Sequence, residues 1–130
     1  MRALRIIKLK DAPVFPAPPP SRKVTKILVD PASGSKHVAM GFTTYGIGEK
    51  GSIHSHTGEE SIFIIKGRAG VTDASGKRQT AEAGDLIYVS VGEAHSIENA
   101  GEEELQFLWA YTPPGDERAI RERGKAISRS

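Results

Sequence analysis

GEKGSIHSHTGEESIFIIKG, residues 48–67, places two histidines one residue apart, a glutamate four positions after the second, and then a run that is apolar at nearly every position. In an extended strand alternate side chains share a face, so His54 and His56 project to one side, roughly 6–7 Å apart along the chain. That spacing suits two ligands of one ion. Thr57, Gly58 and Glu59 read as a tight turn, and Glu60 opens the next strand, where an antiparallel partner would aim its carboxylate at the same point. Three ligands would then come from one hairpin. SIFIIKG reads as a strand buried on both faces, by the interior on one side and by another layer or a second subunit on the other.

Outward from this stretch, Val24 to Tyr111 is a series of short β-rich runs: VTKILVD, HVAMGFTTYG, GSIHSH, ESIFIIKG, RAGVTD, KRQTAEA, DLIYVS, AHSIEN and ELQFLWAY. PASGS, DASGK, EAGD, SVGE and NAGEEE separate them. Turn signals about every 8–12 residues mark an all-β sandwich or barrel. With 130 residues, 14 glycines and 8 prolines, the chain has the size of one turn-rich domain. Residues 1–22 hold Leu4, Ile6 and Ile7, which could add a strand to a sheet edge of this subunit or a partner. DAPVFPAPPPSRK follows as an extended, polyproline-like arm. The barrel is expected over 23–114. Residues 115–130 read as a short basic helix with Asp116 and Glu117 in its first turn, Gly124 as its stop and a solvated face.

Composition narrows the chemistry. Eighteen basic and 16 acidic residues leave a net charge of only +2, too weak a field to hold nucleic acid or an anionic membrane. No cysteine is present, so disulfides, thiolate metal sites and thiol nucleophiles are excluded, and any metal must be held by nitrogen and oxygen. No apolar stretch is long enough for a signal segment or a membrane span, and the cytoplasm is the expected location.

A second cluster lies in AGDLIYVSVGEAHSIEN, where Gly84 and Asp85 open a strand, Gly92 marks a turn and His95 begins another strand. Nothing local brings His95 to the first cluster. Together, however, the two stretches resemble the paired motifs of the cupins, a family of small β-barrels. Gly48, His54, His56, Glu60 and Gly67 meet the first motif without a gap. Gly84, Gly92, His95 and Asn99 meet the second, with Ser90 where the family usually has proline, a departure that would loosen the turn. Sixteen residues separate Gly67 from Gly84, the spacing of a minimal single-domain member. The resemblance implies a double-stranded β-helix, or jelly-roll, barrel with His54, His56, Glu60 and His95 as ligands of one divalent transition metal.

Three imidazoles and one carboxylate suit Fe, Mn, Zn, Ni, Co or Cu and leave coordination positions open. Ile62, Ile64 and Ile97 share faces with the ligands and are expected to wall the pocket. The last strand presents either Leu105, Phe107, Trp109 and Tyr111 or Gln106, Leu108 and Ala110. Tyr45, Tyr88 and Tyr111 are candidates for proton transfer. His37, outside both motifs, reads as a surface or edge histidine, with a catalytic base as the alternative. Related cupin lyases use a tyrosine base two places after the motif glutamate, where this chain has Ile62, which lowers that reading. The expected function is that of a metal-dependent enzyme, dioxygenase-like, acting on a small oxygen-rich organic acid or sugar derivative. Isomerase, lyase or decarboxylase chemistry and a non-enzymatic binding role are the alternatives, and a homodimer is the expected assembly.

Overall fold

Period-two burial organises the chain into two antiparallel sheets packed face to face, so that one face of each strand faces the interior. The structure, a computed structural model, describes residues 4–129, with side chains to Arg123. Its strands are β1 (Val14–Pro16), β2 (Lys23–Val29), β3 (Ala39–Tyr45), β4 (Glu59–Lys66), β5 (Arg68–Asp73), β6 (Arg78–Glu82), β7 (Leu86–Val89), β8 (His95–Asn99) and β9 (Leu105–Thr112), followed by the helix α1 (Glu117–Arg129). One sheet has the order β1-β2-β3-β9-β4-β7 and the other β6-β5-β8. The fold is the expected all-β barrel with a C-terminal helix. Among the described residues no helix is long and apolar enough to cross a membrane.

The inward set on β9 is Leu105, Phe107, Trp109 and Tyr111, the larger of the two alternatives, and it packs with Ile27, Ile62 and Ile64. Trp109 lies flat across Gly41, where a Cβ would come within 2.1 Å of the indole ring, so glycine is required for that close approach. Its indole N–H donates to Thr43 Oγ1 at 2.9 Å, and Thr43 shares a 3.0 Å hydrogen bond with Thr25. At the far end of β8, Asn99 donates through its amide to the carbonyls of Tyr45, Gly46 and Glu103. The second motif's asparagine is thus a buried staple between the sheets.

Several expectations change. Leu4 to Lys8 form no strand within this chain, and Leu4 and Ile6 are exposed. The edge strand is instead β1, inside the proline-rich arm, paired with β2. Proline tolerates such an edge because a missing N–H on the open side costs nothing. GSIHSH is not a regular strand: only isolated bridges, Lys50 to Glu98 and His54 to His95, attach residues 50–54 to the β8 edge. Gly124 does not stop the helix, which continues to Arg129. The side chains of Lys125 and Arg129 lie outside the described residues.

Nor is α1 a freely solvated helix. Arg121 grips Asp30 in a two-point ion pair, Nε to Oδ2 at 2.7 Å and Nη2 to Oδ1 at 2.8 Å, and stacks over the Phe15 ring. Asp30, only 1% exposed, also caps the 3-10 turn Pro31–Ser33. The Arg121 hydrogen bonds, with help from Ser33, hold the Asp30 carboxyl below its usual range despite burial. Asp30→Ala should cost about 2–3 kcal/mol in urea unfolding, because it leaves a part-buried guanidinium unpaired. Since the folded carboxyl is the more acidic, the wild-type contribution is complete above the unfolded Asp value of about 3.9. It should fade as pH falls through the lower folded value.

Candidate metal centre

The four motif residues come together where the two sheets meet. His95 is the first residue of β8, and its backbone exchanges two hydrogen bonds with His54, N to O at 2.9 and 3.0 Å. This backbone pairing carries the first motif to the second, a contact with no local signal in the sequence. His56 follows two residues later, its carbonyl accepting the Gly92 N–H at 3.1 Å. Glu60 arrives from the opposite sheet, on β4, paired with Val89 of β7 and Tyr111 of β9. The single-hairpin origin is therefore corrected: β4 pairs with β7 and β9, and the His54–His56 segment lies along β8. Gly58 serves closeness rather than reversal, since a Cβ there would come within 2.6 Å of the Thr112 carbonyl oxygen.

Hydrogen bonding fixes the state of each imidazole. His54 Nδ1 lies 2.8 Å from the Ser52 carbonyl, His95 Nδ1 2.9 Å from the Glu93 carbonyl, and His56 Nδ1 2.6 Å from Asp116 Oδ2. Carbonyl and carboxylate oxygens only accept, so each Nδ1 carries a proton, and once the ring is neutral its Nε2 turns a bare lone pair inward. The ligand atoms of His54, His56, Glu60 and His95 all lie within 4.8 Å of one another. Glu60 Oε1 is 3.1 Å from His56 Nε2 and 3.2 Å from His95 Nε2, and all three atoms are buried without a hydrogen-bond partner. Converging acceptors with no donor repel one another and are relieved by a cation. The donor set fits a divalent transition metal, and the cluster could hold one.

Protons compete for the same lone pairs. Burial opposes charging His56 and His95. The Glu60 carboxylate outweighs it, joined by Asp116 for His56 and the Glu93 carbonyl for His95, and both imidazoles become more basic than usual. Burial makes His54 less basic.

Beside the cluster lies a cavity of about 390 Å³ whose wall includes Lys23, Tyr45, Ile97, Trp109, Tyr111 and Arg123. Ile97 walls it as expected, whereas Ile62 and Ile64 are wholly buried core beneath it and not part of the wall. Tyr45 and Tyr111 both face the cavity, and the Tyr111 ring lies 4.7 Å from that of His56. Burial, reinforced by nearby carboxylates, pushes the Tyr45 phenol up to about 12 and holds the Tyr111 phenol well above its ordinary value. His37 is exposed ahead of β3, and Tyr88 is exposed on the outer face of β7, so neither belongs to the cavity. Ser90, in the usual proline position, accepts the Glu93 N–H through its carbonyl and donates from its hydroxyl to the Glu93 carboxylate. Hydrogen bonds thus hold the turn that the substitution was expected to loosen.

Sequence reasoning missed Asp116, Lys23 and Arg123. Asp116 lies 60 residues from His56 and was explained by helix capping alone. Lys23 had a usable signal: it is in phase with Thr25 and Ile27, the inward face of β2.

An antiparallel jelly-roll barrel, inside which three histidines and a glutamate converge and could hold a metal, is the architecture of a small cupin. The chain belongs to that family: residues 41–111 match the Cupin domain. Among curated proteins it is 41% identical over 61 residues to the oxalate-binding protein of Thermotoga maritima, covering 47% of this chain and half the length of that relative. Among solved structures it is similar to the polyketide cyclase RemF of Streptomyces resistomycificus (TM-score 0.73, 16% identity, 86% of this chain and 81% of the other). It is likewise similar to a predicted oxalate decarboxylase of Thermotoga maritima (TM-score 0.70, 24% identity, 85% and 100%). At these identities the structural likeness concerns the fold.

Asp116→Ala should lower affinity for added metal by about 10- to 100-fold, as loss of the group orienting a ligating histidine commonly does. A competition titration against a chromophoric chelator measures it. In wild type, affinity should climb as pH rises through and above the ordinary imidazole value of about 6.5, because His56 and His95 must give up protons to bind. Calorimetry in buffers of different ionisation enthalpy should register that release.

Proposed function

We propose that the chain is a metal-dependent enzyme acting on a small oxygen-rich organic acid or sugar derivative, with oxygenase chemistry ahead of isomerase, lyase or decarboxylase chemistry. The observation that carries this reading is the donor-free convergence of His56 Nε2, His95 Nε2 and Glu60 Oε1 beside a cavity. His54, His56, Glu60 and His95 would hold the ion, which would supply Lewis acidity toward substrate oxygens and, if redox-active, a route to oxygen chemistry. The protein's own groups do the rest. Tyr45 and Tyr111 keep their protons at neutral pH and so donate hydrogen bonds to a substrate oxyanion rather than abstract protons. Trp109, Ile97 and α1 exclude water and orient a ligand of limited size. The Thermotoga relative's name, oxalate-binding protein, supports a small organic acid as ligand.

That same name favours a second reading, a cupin that binds an acid without converting it. The two part on turnover: binding alone predicts saturable uptake with no product.

Elemental analysis of unsupplemented protein, beside His54→Ala and His95→Ala, tests the metal assignment. Wild type should carry about one transition-metal ion per chain and both variants should lose it, whereas equal contents in all three would sink the assignment. Oxygen consumption with a panel of hydroxy acids, keto acids and diols then separates oxygenase chemistry from product formed without oxygen.

A homodimer is part of the proposal. Phe63 and Ile65 on the outer face of β4, with Leu86 and Tyr88 on β7, remain exposed, and Phe63 is in register with both Leu86 and Leu108. A contiguous apolar face of this kind marks an association surface. Phe63→Lys should shift the protein from dimer to monomer in sedimentation; a monomeric wild type would remove the idea.

A further inference from the structure

Two cations, Lys23 and Arg123, stand in the cavity wall. Lys23 projects inward from β2, its ammonium 5.7 Å from the Tyr45 ring centroid. Arg123 reaches the same cavity from α1, and its Nε is buried with no hydrogen-bond partner. Among the described residues neither side chain is in an ion pair, although Arg121, two positions away, is fully matched by Asp30. The acid nearest in influence to Lys23, Glu49, is committed elsewhere: Oε1 accepts the Arg22 N–H at 2.8 Å and Oε2 the Ser21 hydroxyl at 2.9 Å. Burial first, and then the Arg123 charge, make the Lys23 ammonium easier to deprotonate than usual. Like charges held together in a part-buried wall are a cost to the folded chain that an anion would remove.

Their position gives the anion a place. Asp116, just before α1, touches His56 at the cluster. Arg123 comes six residues after Glu117, about 9 Å along the helix axis. The cavity-facing part of α1 therefore runs from the histidine cluster to the cationic pair.

We propose that Lys23 and Arg123 form a carboxylate-binding subsite, so that the ligand is a small dicarboxylate with one end toward the histidine–glutamate cluster and the other on these two cations. The inference rests on the reading of the cavity as a small-acid site, and it names the substrate class. Arg123 would present N–H groups in a plane matching the carboxylate, and Lys23 a point charge beside it. The uncharged part of the ligand would lie along Trp109 and Ile97.

Calorimetry on the full chain tests it with malonate, succinate and glutarate, each against its monoamide, and with inorganic phosphate, in metal-loaded and metal-stripped protein. At least one dicarboxylate should bind wild type about tenfold or more tightly than its monoamide, the value of a charge-assisted hydrogen bond. Lys23→Met and Arg123→Met should abolish that preference while leaving metal content at wild-type levels, and Arg123→Lys should restore part of it. Equal affinity for diacid and monoamide in wild type, a preference that survives both Met variants, or no diacid binding at millimolar concentration would each overturn the subsite. So would variant-sensitive binding of phosphate alone. Failure of the metal reading would look different: wild type would hold no metal, yet the preference for the diacid would persist in stripped protein.

Discussion

Glu60 and the imidazoles of His56 and His95 bring three acceptor atoms together in a buried space, and much of the molecule is arranged to hold them there. Bare lone pairs 3.1–3.2 Å apart do not approach one another unaided. They are kept in place by the Nδ1 hydrogen bonds behind two of the rings, by the two-way backbone pairing of His54 with His95, and by the placement of Glu60 between β7 and β9. Each restraint originates in a different element, which is why the cluster sits at the junction of the sheets. A single strand offers ligands on one face only, so a closed site needs a second surface opposite.

The C-terminal helix completes the arrangement. Its approach delivers Asp116 to His56, its first turns put Ile120 and Arg123 against the cavity, and Arg121 locks it to Asp30. Ile120 packs against the core, polar anchoring at Asp30 adds to that docking, and a buried aspartate is tolerated because both its oxygens are matched. One segment thereby orients the His56 ring, lines the cavity and adds positive charge to its wall. Those roles explain why charges that look interchangeable along GDERAIRERGK differ: Arg121 is spent on structure, while Arg123 faces the cavity with no ion-pair partner among the described residues.

Strand alternation was legible in the chain because side-chain direction follows directly from extended backbone. The parity of β4 grouped Glu60 with Ile62 and Ile64, and that of β9 grouped Leu105, Phe107, Trp109 and Tyr111, but which face of β9 turns inward was decided only by the packing. Parity does not say how far along the interior a residue lies. Ile62 and Ile64 share Glu60's face yet sit in the core below the cavity, while Ile97 stands in its wall. The hairpin expected for HSHTGEES failed for a related reason: a turn-like TGEE is compatible with crossing from one sheet to the other as well as with folding back on the same one. Gly58 answers to the passing Thr112 carbonyl, a neighbour remote in sequence.

By itself, then, the sequence determined the all-β class, the family through its two motifs, and the identity of three imidazoles and a carboxylate as candidate ligands. These depend on residue type, period and spacing. Only the tertiary structure decided which nitrogen of each ring faces inward, that Asp116 stands behind His56, and that Lys23 and Arg123 share one cavity 100 positions apart in the chain. Such facts arise from the packing of segments whose separation along the chain carries no information about their separation in space.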